Sequence, residues 1–120
     1  VVLFFTTSSV CSQEAKWQQV EDFHAVMSVT FHPAEDDNLQ PLKEKSGDLL
    51  KTATAWQKGP VPQGYNAAVT KPILKRLVKQ CNIINKAVTA GKSDVELKKL
   101  ITEGHDIFHE IKEKCSNMGH

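Results

Sequence analysis

The chain lacks the features that mark several classes of protein. Its most apolar stretch, VVLFFTTSSV at residues 1–10, is too short to cross a bilayer as a helix. Neither sign of charge is in excess, since 15 Lys and Arg side chains face 14 Asp and Glu. No basic block and no acidic tail stands out, so binding to nucleic acid is not expected. The remaining classes are small carriers, sensors and binding modules.

Motifs for catalysis are also missing. HEIKE at residues 109–113 begins like the zinc-protease helix, but Glu113 stands where that motif needs its second histidine. No glycine-rich phosphate loop occurs, and no serine or cysteine is matched to a base. We therefore expect a binding protein rather than an enzyme.

Residues 1–12 have the character of an export signal. The uncharged apolar run ends in small residues and is followed by the polar SQEAKW, as at a signal-peptide cleavage site after Ser9 or Ser12. Cys11 suggests a lipoprotein, but the bulky Val10 before it disfavours that interpretation. The sequence thus predicts a signal remnant at residues 1–12 and a periplasmic or secreted domain at residues 13–120.

Within that domain, apolar residues recur at steps of three and four, the spacing of a helix with one buried face. Four such stripes follow one another, and four helices of similar length favour an antiparallel four-helix bundle. The fold class expected is therefore all-α, with up-down-up-down order. The stripes are Trp17, Val20, His24, Met27, Phe31; Leu39, Leu42, Ser46, Leu49, Ala53, Trp56; Leu74, Leu77, Cys81, Ile84, Val88; and Leu97, Ile101, Gly104, Phe108, Ile111, Cys115.

Turn signals separate the stripes. The dipeptide His32–Pro33 is predicted to end the first helix, because a residue before proline disfavours helical backbone. The other predicted boundaries are Asp37 or Asn38 as the cap of the second helix, the loop QKGPVPQGYN at residues 57–66, Gly91 at the end of the third helix, and Ser93 or Asp94 as the cap of the fourth.

This register bears on the three cysteines. The last two helices turn back near residue 92, so Cys81 should be level with a residue near 103. Cys115 would then lie ~18 Å away, too far for a disulfide. We predict that Cys81 and Cys115 do not pair, while a bond between Cys11 and Cys115 stays open.

The placement of the five histidines says more about function than that of the cysteines. His105 and His109 are four apart and share one side of the last helix. If the first and last helices are level at their outer ends, His24 is level with residue 107, between them. Three imidazoles can therefore converge, with Met27 as a fourth donor. Imidazole suits copper, zinc, nickel and iron, and a thioether favours copper(I) or haem.

Two histidines fall outside this set, and simpler interpretations remain. His32 is predicted to cap the helix or to support the ligands, and His120 is terminal. A single histidine on an apolar face is often a core residue, and a pair four apart is often a solvated edge. A bundle with no cofactor therefore remains an interpretation.

The segment ITEGHDIFH, residues 101–109, resembles the haem-binding helix of the cytochrome c-prime family. In that family two cysteines and a histidine attach the haem, and an aromatic and a basic residue follow. His105 matches the histidine, with Phe108 and His109 in the aromatic and basic positions. Ile101 and Gly104 stand where the cysteines would be, so on this alignment covalent haem is excluded.

The pattern of residues 14–117 is also similar to the soluble b-type four-helix cytochromes, which hold haem between a methionine on the first helix and a histidine on the last. That resemblance implies Met27 and either His105 or His109 as haem ligands, in a slot lined by Phe31, Phe108 and Ile111.

Two functions follow from these residues. The first is an exported copper- or zinc-binding carrier, buffer or sensor with His24, Met27, His105 and His109 as ligands. The second is a non-covalent b-type haem electron-transfer protein, which needs two axial ligands and leaves the third histidine unexplained. The expected partners are a metal ion and a redox or metal-transfer protein. The oligomeric state is open and includes a dimer.

Overall fold

The computed structural model describes residues 17–62 and 64–118, with side-chain surroundings up to residue 113. It contains four helices, which are α1 (Gln18–Glu35), α2 (Gln40–Lys58), α3 (Ala67–Thr89) and α4 (Asp94–Met118). Each helix packs on the next along the chain, and α4 returns to α1 with less extensive contact. The fold is the predicted all-α antiparallel four-helix bundle. The predicted signal segment, residues 1–12, lies outside the described residues.

Three of the four predicted stripes form the core. Every member of the α2 stripe is buried, from Leu39 to Trp56, and so are Leu74, Leu77, Cys81 and Ile84 of α3. On α4 the described members from Leu97 to Ile111 are buried. Among the described residues, no helix combines the length and apolar character needed to cross a membrane.

The predicted stripe of α1 is wrong at one position. Phe23 is fully buried, and the neighbouring His24 is exposed. Met27 and Phe31 remain in the core, joined by Thr30 and Ala34. Since adjacent residues are separated by 100° around a helix, this difference turns His24 away from the interior. The large ring of Phe23 gains more from burial than an imidazole, which would need a partner.

Helix α1 also continues past its predicted end. Pro33 lies inside the helix, which ends at Glu35. Pro33 has no N–H to donate to the preceding turn, yet burial of Ala34, at 1% exposure, holds the last turn against the core. The Nζ of Lys98 reaches the carboxylate of Asp37 at 2.8 Å and the carbonyl of Glu35 at 3.4 Å. Contacts from α4 therefore override the local preference of the residue before proline.

The turn between α3 and α4 follows the prediction. Gly91 has a φ of +70°, and its N–H donates to Val88, while that of Lys92 donates to Ala87. This pattern is a Schellman motif, which terminates a helix and favours glycine. The hydroxyl of Ser93 accepts from the N–H of Glu96, so Ser93 caps α4. At the start of α2 the predicted cap is displaced by one residue, since Leu39 is the N-cap and Asn38 accepts from Gln40.

The core is rich in aromatic rings where the first turn of α1 meets the end of α2. Trp17 meets Trp56 edge to face at 5.6 Å and Tyr65 at 4.8 Å between ring centroids. Phe23 links Trp56 to Phe108 of α4. Neither indole N–H has a hydrogen-bond partner among the described residues. These rings hold α1 and α4 at the level that the sequence register predicts.

Cys81 lies in the middle of this core as a free thiol. Burial raises its pKa to about 12. The prediction that Cys81 does not form a disulfide is confirmed. Cys11 and the side chain of Cys115 lie outside the described part of the chain.

Candidate functional site

The seam between α1 and α4 carries the histidines of interest. His105 is half-buried there, and its ring stacks on the ring of Phe31 from α1. The two centroids are 3.8 Å apart and the planes differ by 8°. An aromatic contact of this kind fixes the orientation of the imidazole. Phe31 is therefore the platform that positions His105.

His105 and His109 meet on the outer side of this seam. Their Nε2 atoms are 3.2 Å apart, as the spacing of four residues on a helix allows. In the metal-free pair one Nε2 must carry a hydrogen and donate it to the other. If both Nε2 lone pairs are to bind an ion, that hydrogen must move to Nδ1 of the same ring. The two nitrogens already lie side by side on one face of α4.

The pKa of His105 lies below its ordinary value. Burial against Phe31 is the largest cause, and positive charge on His109 and His32 lowers it further. The carboxylates of Asp106 and Glu35 act in the opposite direction. Neutral imidazole is the form that ligates a metal. The surroundings of His105 therefore favour the form that can bind an ion.

His32 and Glu35 form a neighbouring pair at the end of α1. The Nδ1 of His32 lies 3.0 Å from a carboxylate oxygen of Glu35, and both side chains are largely exposed. The charge of each side chain also acts on His105. Sequence reasoning anticipated a supporting role for His32 but missed Glu35. The signal available was the spacing of three residues between them on a helix.

His24 is level with the pair but does not join it. Its ring stacks on Phe108 at 5.7 Å with planes 26° apart, which agrees with the predicted level near residue 107. The side chain is exposed because α1 buries Phe23 in its stead. The structure therefore brings His24 to the residue next to His109, on the outer surface of the seam.

Met27 lies on the other side, inside the core. It is 1% exposed, and its Cε would be 3.8 Å from a Cβ carbon on Gly104. Gly104 precedes His105, whose Nε2 is directed toward His109. The thioether thus packs with the apolar core, while the imidazole pair faces outward.

The number of donor side chains that come together decides whether one chain can enclose a metal ion. Within residues 17–62 and 64–113, no three His, Cys, Asp or Glu side chains form a group able to hold a metal ion. The pair of imidazoles remains, with His24 exposed on the same seam and Met27 buried in the core. The four-residue set of His24, Met27, His105 and His109 therefore stays a prediction.

The geometry of the pair itself is selective. Two nitrogens 3.2 Å apart, each joined to one ion by a bond of about 2.0–2.1 Å, subtend an angle of about 100–106° at that ion. A tetrahedral ion prefers about 109°, whereas the right angle of a square-planar ion would need about 2.9 Å between the nitrogens. A chelate that kept this separation would be closer to tetrahedral than to square-planar geometry.

Comparisons of this chain with protein-family models, with curated proteins and with solved structures find no match. The resemblance of residues 101–109 to the cytochrome c-prime helix therefore stays a prediction.

Proposed function

We propose that this four-helix bundle binds a transition-metal ion, zinc or copper, at His105 and His109, and acts as an exported carrier, buffer or sensor of that ion. The observation that carries the proposal is the 3.2 Å separation of two Nε2 atoms on one helix. This separation needs little change to become the bite of a tetrahedral chelate.

The surroundings of the pair support the same function. Phe31 holds the ring of His105 in place at 3.8 Å, so little rotational freedom is lost when an ion binds. The lowered pKa of His105 reduces competition from protons. The nearby carboxylates of Asp106 and Glu35 favour a cation at this position.

A site with two protein ligands also suits exchange. Structural zinc sites use four protein ligands and are closed, whereas open coordination positions let other ligands reach the ion. A carrier or buffer must release its cargo, so an incomplete protein donor set is appropriate. Export is supported only by the apolar residues 1–12.

The test is a zinc titration in competition with a chromogenic chelator at neutral pH, with wild type and two variants. His109→Ala removes one donor and is expected to weaken binding at least about tenfold. His24→Ala removes another exposed imidazole on the same seam and is the matched control. It is expected to keep the wild-type affinity, because its ring stacks on Phe108.

Three results would count against the proposal as stated. Equal zinc affinity in wild type and His109→Ala would show that the pair is not the site. An equal loss in His24→Ala would favour the three-histidine set over the pair. A Soret band on addition of haem that disappears with Met27→Ala would favour the haem function, which an absorption spectrum detects directly.

A further inference from the structure

We propose that the metal site is completed by a second copy of this chain, so that one zinc ion is held by His105 and His109 from each of two bundles. This inference deepens the proposed function and rests on it. It names the partner that supplies the missing ligands.

The number of ligands on one chain favours a shared site. Zinc in proteins is almost always four-coordinate, and one chain offers two imidazoles at this position. The described residues form no group of three donors that would complete the set from the same chain. Two identical chelates related by a two-fold axis supply four nitrogens without any further residue type.

The pair lies where a second molecule can approach it. His109 is exposed, His105 is half-buried, and their Nε2 atoms are 3.2 Å apart on the outer side of the seam. The residues on the same face, one turn to either side, are Thr102, Lys112 and Glu113, which are exposed as well. Lysine and glutamate side by side leave this face of mixed charge, so two copies meet no uniform repulsion.

The exposed apolar side chains indicate what could hold two copies together. The large exposed apolar side chains of the described residues are Val29, Ile83 and Val95. Val29 lies two residues from Phe31, about 200° around α1 from the seam, and Val95 is about 15 Å along α4 from His105. Ile83 lies on α3. A stable interface between proteins usually has an apolar core. None of these three residues supplies one beside the pair, so the ion is the link and dimerisation should require it.

This arrangement has a distinctive equilibrium. If one ion joins two chains, binding is linked to association, so apparent zinc affinity rises with protein concentration. If one ion binds one chain and takes water at its open positions, apparent affinity does not depend on protein concentration. Stoichiometry and molar mass separate the two cases.

The experiment is a titration of the full chain with zinc chloride, followed by size-exclusion chromatography with light scattering. We expect a monomer without metal, a dimer of twice the mass with one zinc per two chains, and return to monomer on addition of EDTA. His109→Ala is expected to stay monomeric at all zinc concentrations. His24→Ala, the matched histidine control, is expected to dimerise like wild type.

The remaining outcomes overturn the inference in different ways. A monomer with one zinc per chain refutes the shared site and leaves the proposed function intact. Failure of wild type to bind zinc refutes the shared zinc site, and failure to bind either zinc or copper refutes the proposed function as well. Zinc-dependent dimers of His109→Ala would show that other residues bridge the copies. Since wild type alone separates the expected dimer from the first two of these results, a folding defect in a variant cannot leave the inference untested.

Discussion

Gly104 offers a sharp test of the packing on which the site depends. It lies in the interior of α4, one residue before His105, and faces the core. A Cβ atom added there would lie 3.4 Å from Cδ1 of Ile84, 3.7 Å from Cγ of Gln80 and 3.8 Å from Cε of Met27. These are ordinary van der Waals separations, so a methyl group fits without displacing its neighbours. Gly104→Ala is therefore expected to stabilise the protein.

The size of the effect has two parts. Alanine in place of glycine inside a helix gains about 1 kcal/mol from helix propensity. Burial of one methyl group adds up to about 0.8 kcal/mol. The matched control is Gly47→Ala in α2, where nothing lies within 4 Å of the added Cβ atom. The control should gain the first part alone, so the difference between the two variants reports the packing of α4.

Urea denaturation at equilibrium measures both variants, provided that the m-value is unchanged. An increase of 1 kcal/mol corresponds to roughly 4 °C in melting temperature for a domain of this size. A larger side chain has no room, so Gly104→Leu is expected to lose about 1–3 kcal/mol through overpacking. If Gly104→Ala is less stable than wild type while Gly47→Ala is more stable, α4 packs closer to Ile84 than the structure describes.

Two further predictions concern titration and reactivity. The pKa of His105 is lowered in the folded state, so the unfolded state binds its proton more readily. The contribution of this group to stability is therefore present above the ordinary histidine pKa of about 6.5. It is lost as pH falls through the lower pKa of the folded state. Melting curves of metal-free protein should therefore show a decrease below about pH 6.5 that is smaller in His105→Gln, and an identical decrease in both would refute this assignment. Cys81 is fully buried with a pKa of about 12, so it should react with a thiol reagent at neutral pH only after denaturation. Rapid labelling of Cys81 in the native protein, located by peptide mapping, would contradict its burial.

The bundle itself could be predicted because the apolar pattern of three helices indicates a single buried face. On α2 the stripe from Leu39 to Trp56 keeps alternating steps of three and four over six positions, and most residues between them are polar. The turn between α3 and α4 was equally predictable, because Gly91 and Ser93 carry the local chemistry of a helix end and a helix start. Local signals were sufficient there.

Helix α1 shows where such reasoning fails. Phe23 and His24 are adjacent, and both fall at helical spacing from Met27, so periodicity alone permits either in the stripe. Packing against Trp56 and Phe108 decides for Phe23. Contacts from other helices are not written in the local sequence. The extension of α1 through Pro33 has the same origin, since burial of Ala34 and the contacts of Lys98 outweigh the lost hydrogen bond.

In the candidate site, too, contacts within one helix could be predicted and contacts between helices could not. The approach of His105 to His109 depends on one helix and its spacing, so it could be predicted. Whether His24 joins them depends on the rotation of α1 about its own axis, which the core sets. A shift of one residue in the buried stripe is a rotation of 100°, enough to move a side chain from the interior to the surface.

The same rotation bears on the proposed metal site. A site that included Met27 would reach into the core, where release of an ion is slow and exchange requires opening of the fold. With Phe23 buried, the core is apolar and complete without an ion, since Phe23, Trp56 and Phe108 contact one another directly. The histidine pair is left on the outside, supported by Phe31 but open to solvent. On the proposed function, metal binding would then be separate from folding, so an ion could bind and leave while the bundle stays folded, as a carrier or a metal-linked dimer requires.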